Sequence, residues 1–240
     1  MDFTKDEAKV AVITGASGAL GSQLVSILKE EKYIVVACSK RTAVKDAAFS
    51  EKFDIADSEA VRRYIKEVLK RFGRIDILIN NAGYAGNPKA VDKTDDENVL
   101  RMFRTNVYGP LYFMREVLPT MKRNGAGKII NIASKAGVYA VPYLSAYSAS
   151  KSALIALTQG VAKELKRENV SIICVSVSPA GMNTALRAKV YGKEDARRQQ
   201  DVRAVANIIN NIAIGRMAVP QGANVVIKQK HPTIRVMEDG

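Results

Sequence analysis

Short apolar runs and amphipathic stretches alternate along almost the whole chain. Val10 to Ile13, Ile34 to Cys38, Ile75 to Ile79, Lys128 to Ala133 and Val170 to Val177 are runs of strand length, rich in Val and Ile. Their hydrophobicity is continuous rather than alternating, which predicts strands covered on both faces, as in a parallel sheet. Between them apolar residues recur at helical spacing, at Val61, Ile65, Val68, Leu69 and Phe72 and again at Leu154, Leu157, Val161 and Leu165. A weaker strand at Lys52-Phe53-Asp54 and a last one from Asn224 to Lys228 bring the count to about seven. Repeated βα units predict an α/β fold, a doubly wound three-layer sandwich with helices on both faces of a mostly parallel sheet. No internal repeat, low-complexity tract or Pro/Gly linker interrupts the pattern, so residues 1–240 read as a single domain.

Composition narrows the class. With 47% apolar and 25% charged residues the chain reads as a soluble globular protein. No apolar run approaches the ~18 residues needed to cross a bilayer, and Met1 to Glu7 is too acidic and polar for a secretory signal. A cytoplasmic protein with no membrane partner is expected. Cys38 and Cys174 lie far apart in strand-like runs, which predicts two buried, unpaired thiols. One histidine, His231, and two scattered cysteines argue against a metal site. The net charge of +13 would suit an anionic partner. Its carriers, such as Arg62, Arg63, Lys66, Lys163 and Lys166, are spread over the polar faces of amphipathic helices. Solvated surface is therefore the first reading, and nucleic-acid binding is not expected.

Thr14-Gly15-Ala16-Ser17-Gly18-Ala19-Leu20-Gly21 follows the first strand and opens the first helix. Helix N-terminal amides and the helix dipole attract a pyrophosphate there, and glycines let the backbone approach it. Gly15, Ser17, Gly18, Leu20 and Gly21 are thus candidate dinucleotide contacts in a Rossmann-type fold. NAD sites usually carry Asp or Glu at the end of the second strand, to hold the ribose hydroxyls. Here the residues are Ser39-Lys40-Arg41. A small hydroxyl followed by two cations favours the extra phosphate of NADP(H), unless Lys40 and Arg41 are only solvated loop charges.

Tyr147-Ser148-Ala149-Ser150-Lys151 opens the long helix before the sixth strand, and its four-residue spacing puts phenol and ammonium on one face. A free tyrosine titrates near pH ~10, so acid–base work near neutrality needs a nearby cation to favour the phenolate. Taken alone the pattern is common. It gains weight from Ser134, just past the fifth strand, where strand ends line the ligand crevice of such sheets.

With these pieces in order, the chain resembles the single-domain branch of the short-chain dehydrogenase/reductase family over nearly its whole length. The matching segments are the Thr14 to Gly21 turn, Asp54-Ile55, Asn80-Asn81-Ala82-Gly83, Asn106, Ser134, Tyr147 with Lys151, and Pro179 to Thr184. The resemblance implies Tyr147 as general acid or base and Ser134 as the group holding the substrate carbonyl or hydroxyl. It implies that Lys151 binds the nicotinamide ribose and depresses the Tyr147 pKa. Asn106 would interrupt its helix and hold a water linking Lys151 to solvent. Asp54 and Ile55 would touch the adenine, while Asn81, Ala82 and Gly83 flank the adenosine and brace the sheet. Pro179, Gly181 and Thr184 would adjoin the nicotinamide, with Thr184 bonding its carboxamide. A homodimer or homotetramer is implied as well.

Three departures stand out. Ala19 occupies a position where the branch usually has glycine; Pro179-Ala180-Gly181 displaces the usual Pro-Gly by one; and Val225 to Lys230 runs into a polar tail in place of the usual Asp-Gly-Gly ending. The last leaves open the tetramer contact often made at that end. Residues 183–200 should form a substrate lid, whose Arg187, Lys189, Lys193, Arg197 and Arg198 outnumber Glu194 and Asp195. That excess suits either an anionic substrate or a solvated lid helix. The leading expectation is an NADP(H)-dependent carbonyl reductase or alcohol dehydrogenase. The alternatives are a 3-oxoacyl-carrier-protein reductase and a dinucleotide-sensing binding protein without turnover.

Overall fold

The computed structural model describes residues 8–184, 187–188, 191–228 and 231–236. Eight strands form one sheet: β1 Val10–Thr14, β2 Ile34–Ser39, β3 Phe49–Lys52, β4 Ile77–Asn80, β5 Ala126–Ile132, β6 Ser171–Pro179, β7 Asn224–Lys228 and β8 His231–Arg235. Their order is β3-β2-β1-β4-β5-β6-β7-β8. Every pair is parallel except β7 with β8. The helices are α1 Ala19–Glu30, α2 Ser58–Phe72, α3 Asp96–Phe103, α4 Gly109–Arg123, α5 Ser145–Arg167, α6 Lys193–Arg197 and α7 Val202–Ile214. The expected doubly wound parallel fold is what the chain adopts.

Continuous hydrophobicity has the anticipated cause. Ala11, Ile13, Val35, Ala37, Ile77 and Ile79 point to one side of the sheet and pack with α1 and α7. Val10, Val12, Val36, Cys38 and Leu78 point to the other and pack with α2, α4 and α5. Each strand thus feeds two cores, at roughly 1.5–3 kcal/mol per buried large aliphatic side chain. Cys38 and Cys174 are free and buried, and burial pushes their thiols well up, Cys174 to about 12.

Two elements differ from the sequence expectation. The third strand ends at Lys52, before Phe53 and Asp54. Phe53 instead turns inward, with its ring 5.2 Å from that of Tyr64 and 6.4 Å from that of Phe113. The eighth strand lies in what reads as a polar tail. As an antiparallel edge strand exposed along all five residues, it needs no apolar run and carries Pro232. Gln229 and Lys230 of that tail lie outside the described residues.

Sheet order reverses between β1 and β4, the point where parallel sheets of this kind open a crevice at their carboxyl ends. A buried polar chain braces the strands beside it. Asn80 Nδ2 donates to Asn131 Oδ1 at 2.8 Å, Asn131 Nδ2 to Thr158 Oγ1 at 2.9 Å, and Thr158 Oγ1 to the Leu154 carbonyl at 2.7 Å. Asn131→Ala removes the middle link and strands the buried Asn80 amide, so a loss of about 2–3 kcal/mol is expected. Urea denaturation measures it. A loss under about 0.5 kcal/mol would show that the chain bears no load.

Candidate active site

The glycine turn is fixed from both sides. Gly15 has φ +62°, and a Cβ there would lie 2.7 Å from Ala82 Cα. A Cβ on Gly21 would lie 2.5 Å from the Gly15 carbonyl oxygen. Thr14 Oγ1 accepts from the Asn81 and Ala82 amides at 3.0 Å, and Asn81 Nδ2 donates to the Thr14 and Gly15 carbonyls at 2.9 and 3.1 Å. Asn81 and Ala82 therefore brace β4 against the turn. Gly18 is the N-cap of α1, without a side-chain cap and with no acidic residue in the first turn. Ser17, Gly18 and Ala19 are exposed, leaving helix amides open to an anion. Ala19 begins the helix with no positive φ, so it requires no glycine. The Leu20 side chain is buried in the core, which leaves its backbone to face the turn.

At the end of β2, Ser39 is buried, its hydroxyl donating to the Thr42 carbonyl. Lys40 pairs with Asp54. Burial works against the Asp54 carboxylate, but Lys40, the Ala56 amide and Arg101 hold its pKa below the usual range. Arg41 is exposed and forms no ion pair among the described residues. Ile55 is buried against Gly109, where a Cβ would lie 2.5 Å from its Cδ1.

The catalytic candidates converge. Ser134 follows β5, and its Oγ accepts from the Ala136 amide at 3.2 Å. Tyr147 and Lys151 lie on the first turns of α5. Asn106 sits in a π-turn, Arg104–Tyr108, between α3 and α4, so it does interrupt the helix. It exchanges hydrogen bonds of 2.8 Å with the Tyr84 backbone and donates to Ser150 Oγ at 2.9 Å. A Cβ on Gly83 would lie 3.4 Å from Lys151 Nζ and 3.5 Å from Asn106 Oδ1, which places the three residues together. Lys151 is 3% exposed, and its Nζ donates to the Ile132 carbonyl at 2.8 Å.

Burial pushes the Tyr147 phenol above its usual pKa, the hydrogen bond with Ser134 draws it back, and Tyr191 raises it further. Lys151, whose Nζ lies 6.0 Å from the Tyr147 ring centroid, is committed to the carbonyl instead. Three residues given no role from the sequence help set this geometry. Ser150 donates to the Tyr147 carbonyl at 2.7 Å, the Tyr84 amide donates to Asn106 Oδ1 while its carbonyl accepts from Asn106 Nδ2, and Gly137 packs on α5, where a Cβ would lie 2.7 Å from the Lys151 carbonyl carbon. Ser150 stood inside the Tyr147–Lys151 motif; the other two had no local signal.

Ser134 and Tyr147 open onto a cavity of about 1060 Å³, also lined by Pro179, Gly181 and Thr184. Thr184 Oγ1 accepts from the Arg187 amide at 3.1 Å. The Ala180 amide donates to the Ile227 carbonyl at 2.9 Å, and the Gln199 amide group occupies the space where a Gly181 Cβ would stand. The displaced glycine thus makes room for Gln199. Met182 and Gln200 bridge the two ends of the 183–200 segment. Lys189 lies outside the described residues. Among the described residues no cluster of His, Cys, Asp and Glu could hold a metal, and no helix is long and apolar enough to cross a membrane.

A parallel sheet with a glycine turn at its switch point and a Ser–Tyr–Lys–Asn cluster beside it defines a dinucleotide-dependent oxidoreductase architecture. The chain belongs to the short-chain dehydrogenase family, whose model matches residues 9–195. An uncharacterized oxidoreductase of Schizosaccharomyces pombe is 36% identical over 75% of this chain, which spans 63% of that relative's length. One from Staphylococcus aureus strain MW2 is 33% identical over 84% of this chain and 89% of its own. Among solved structures, NAD+-bound xylitol dehydrogenase is similar at TM-score 0.82 and 27% identity, covering 93% of this chain and 99% of its own. The NADH complex of 3-ketoacyl-(acyl-carrier-protein) reductase from Brucella melitensis is similar at TM-score 0.84 and 25% identity, covering 92% and 97%. ElxO with NADP bound is similar at TM-score 0.81 and 25% identity, with the same coverages.

The buried Lys151 carries a measurable cost. Burial lowers its pKa from 10.5 to about 8, which corresponds to roughly 3 kcal/mol against folding with the group charged. Between these values the unfolded chain binds more protons, so the cost is full below about pH 8 and fades as pH rises through 10.5. Lys151→Met also loses the Ile132 hydrogen bond, leaving an expected net gain of about 1–2 kcal/mol at pH 7. Denaturation at pH 7 and pH 10 should show that gain shrink. A variant less stable at pH 7, or a gap unchanged with pH, would contradict a strained lysine.

Proposed function

We propose that this chain is an NADP(H)-dependent oxidoreductase acting on a small carbonyl or alcohol substrate, with Tyr147 as its acid and base. The observation that carries the reading is the opening of Ser134 and Tyr147 onto one cavity, with Lys151 and Asn106 packed behind them. Residues 1–240 are taken as one domain with a lid across 183–200, working in the cytoplasm as a homodimer or homotetramer.

The open amides of α1, the Gly15 and Gly21 cradle and the nearby cations fit a dinucleotide. When bound, its nicotinamide supplies or accepts the hydride. Ser134 would orient the substrate oxygen, and Tyr147 Oη would donate a proton to it in reduction or remove one in oxidation. Lys151 would turn from the Ile132 carbonyl toward the ribose hydroxyls, bringing its charge nearer the phenol. Asn106, held by Tyr84 and Ser150, would keep the π-turn open beside Lys151. Tyr147→Phe keeps the ring and removes only the reacting oxygen. Turnover should fall about 10²-fold or more with cofactor binding retained, and turnover within a few-fold of the parent would remove Tyr147 from this role.

NADP(H) is favoured over NAD(H) because no carboxylate ends β2 and two cations follow it. Of these, Arg41 is the readier phosphate partner, since Lys40 must first leave Asp54. NADPH should bind at least ten-fold more tightly than NADH, about 1.4 kcal/mol. Arg41→Ala should erase more of that preference than Lys40→Ala while leaving NADH nearly untouched. Paired dissociation constants at one ionic strength decide it, and equal affinities would make both residues ordinary surface charges. The alternative of a 3-oxoacyl-carrier-protein reductase draws on the similarity to the Brucella enzyme. Turnover of an acetoacetyl thioester above that of simple ketones would favour it.

A further inference from the structure

Charge is distributed around the cavity differently from the lid helix. Arg187 and Arg198 reach the wall, whereas Lys193 and Arg197 do not line it. Arg187 is largely neutralised: its Nη2 donates to Asp195 Oδ2 at 3.1 Å, and its guanidinium stacks 3.9 Å from the Tyr191 ring centroid. Two further cations arrive from the sheet. Lys135 follows Ser134 at the end of β5, and Lys228 closes β7. Neither forms an ion pair among the described residues. Gln200 Nε2 donates to the Ile227 carbonyl at 3.3 Å, bringing the end of the lid that carries Arg198 to the strand that carries Lys228.

The opposing charge is small. Asp201 lines the wall, but its Oδ1 accepts from the Ala204 amide at 2.8 Å as the N-cap of α7. Asp195 lies bonded to Arg187, within the field of Arg198. The cavity is therefore net cationic, and its remaining wall is mainly apolar, with Val141, Leu144 and Met182 among it. Lys135 is half-buried and Arg198 and Lys228 are exposed while lining the cavity, so together they set a positive potential over a largely apolar cleft, which a neutral ketone would leave uncompensated. The cavity of about 1060 Å³ would be shared between the nicotinamide, on the side of Pro179, Gly181 and Thr184, and the substrate, on the side of Lys135, Arg198 and Lys228.

We propose that the substrate bears an oxyanion, a carboxylate or a phosphate, away from its carbonyl, and that Lys135, Arg198 and Lys228 receive it while Tyr147 faces the carbonyl. This rests on the oxidoreductase reading of the same cavity, so its test measures binding rather than turnover. Para-acetylbenzoate, para-acetylphenyl phosphate and neutral para-acetylbenzamide are titrated calorimetrically into the protein, with and without NADP+. At least one anion should bind about ten-fold or more tightly than the benzamide, and the advantage should shrink with added salt. The tighter anion identifies the group. Arg198→Gln and Lys228→Gln should each remove about five-fold of the advantage, leaving benzamide binding unchanged. Equal binding of all three probes, undetectable binding of both anions, or an advantage that survives Lys135→Gln, Arg198→Gln and Lys228→Gln combined would overturn the proposal. An anion preference without NADPH oxidation by any ketone would keep the site and remove the reaction.

Discussion

A parallel sheet buried on both faces leaves little room for polar chemistry within its layers. Side chains along its strands are claimed alternately by the α1/α7 core and the α2/α4/α5 core. Every crossover returns to start a new strand from the same side, so the carboxyl ends gather on one edge. There the chain needs polar residues to close its turns, and there Thr14, Ser39, Asn81 and Ser134 all fall. The switch between β1 and β4 separates the crossovers and opens the crevice. Thr14 Oγ1, holding two amides of the β4 loop, keeps the lips of that crevice in register.

The cluster of Ser134, Tyr147, Lys151 and Asn106 sits beside this crevice at an energetic cost. An ammonium group 3% exposed with one carbonyl partner is poorly solvated, as its pKa of about 8 records. Tyr147 is pushed the opposite way by the same burial, because charging a phenol creates an anion. Each group therefore disfavours its charged form, and Lys151 is bonded to the Ile132 carbonyl rather than to the phenol. Polar groups that draw Lys151 away from the Ile132 carbonyl and toward Tyr147 would relieve both.

The 37 basic residues behind the net charge of +13 separate into two kinds. Some are exposed and paired with a neighbouring carboxylate, as in Arg62 with Glu59 and Arg71 with Glu67, where such pairs contribute little. A smaller share collects at the cavity wall from three separate segments of the chain. Lys135 and Lys228 are unremarkable in sequence; their meaning comes from their common cavity.

The sequence by itself determined the layer architecture, the glycine turn and the Ser134, Tyr147 and Lys151 positions. These signals are local: continuous apolar runs, helical periodicity and fixed spacing follow from backbone geometry within a few residues. Asn106 was singled out only through family resemblance, and the structure places it in a π-turn. Tertiary structure decided what depends on residues far apart. Only the assembled fold pairs Lys40 with Asp54 and leaves Arg41 outside any ion pair among the described residues. It also turns Phe53 inward, lays an exposed β8 along β7, and places Ser150 and Gly137 against Tyr147 and Lys151. The physical reason is the same in each case. A hydrogen bond, an ion pair or a steric limit between remote segments leaves no periodic trace in the chain, because its energy exists only once the partner segment has been brought into place.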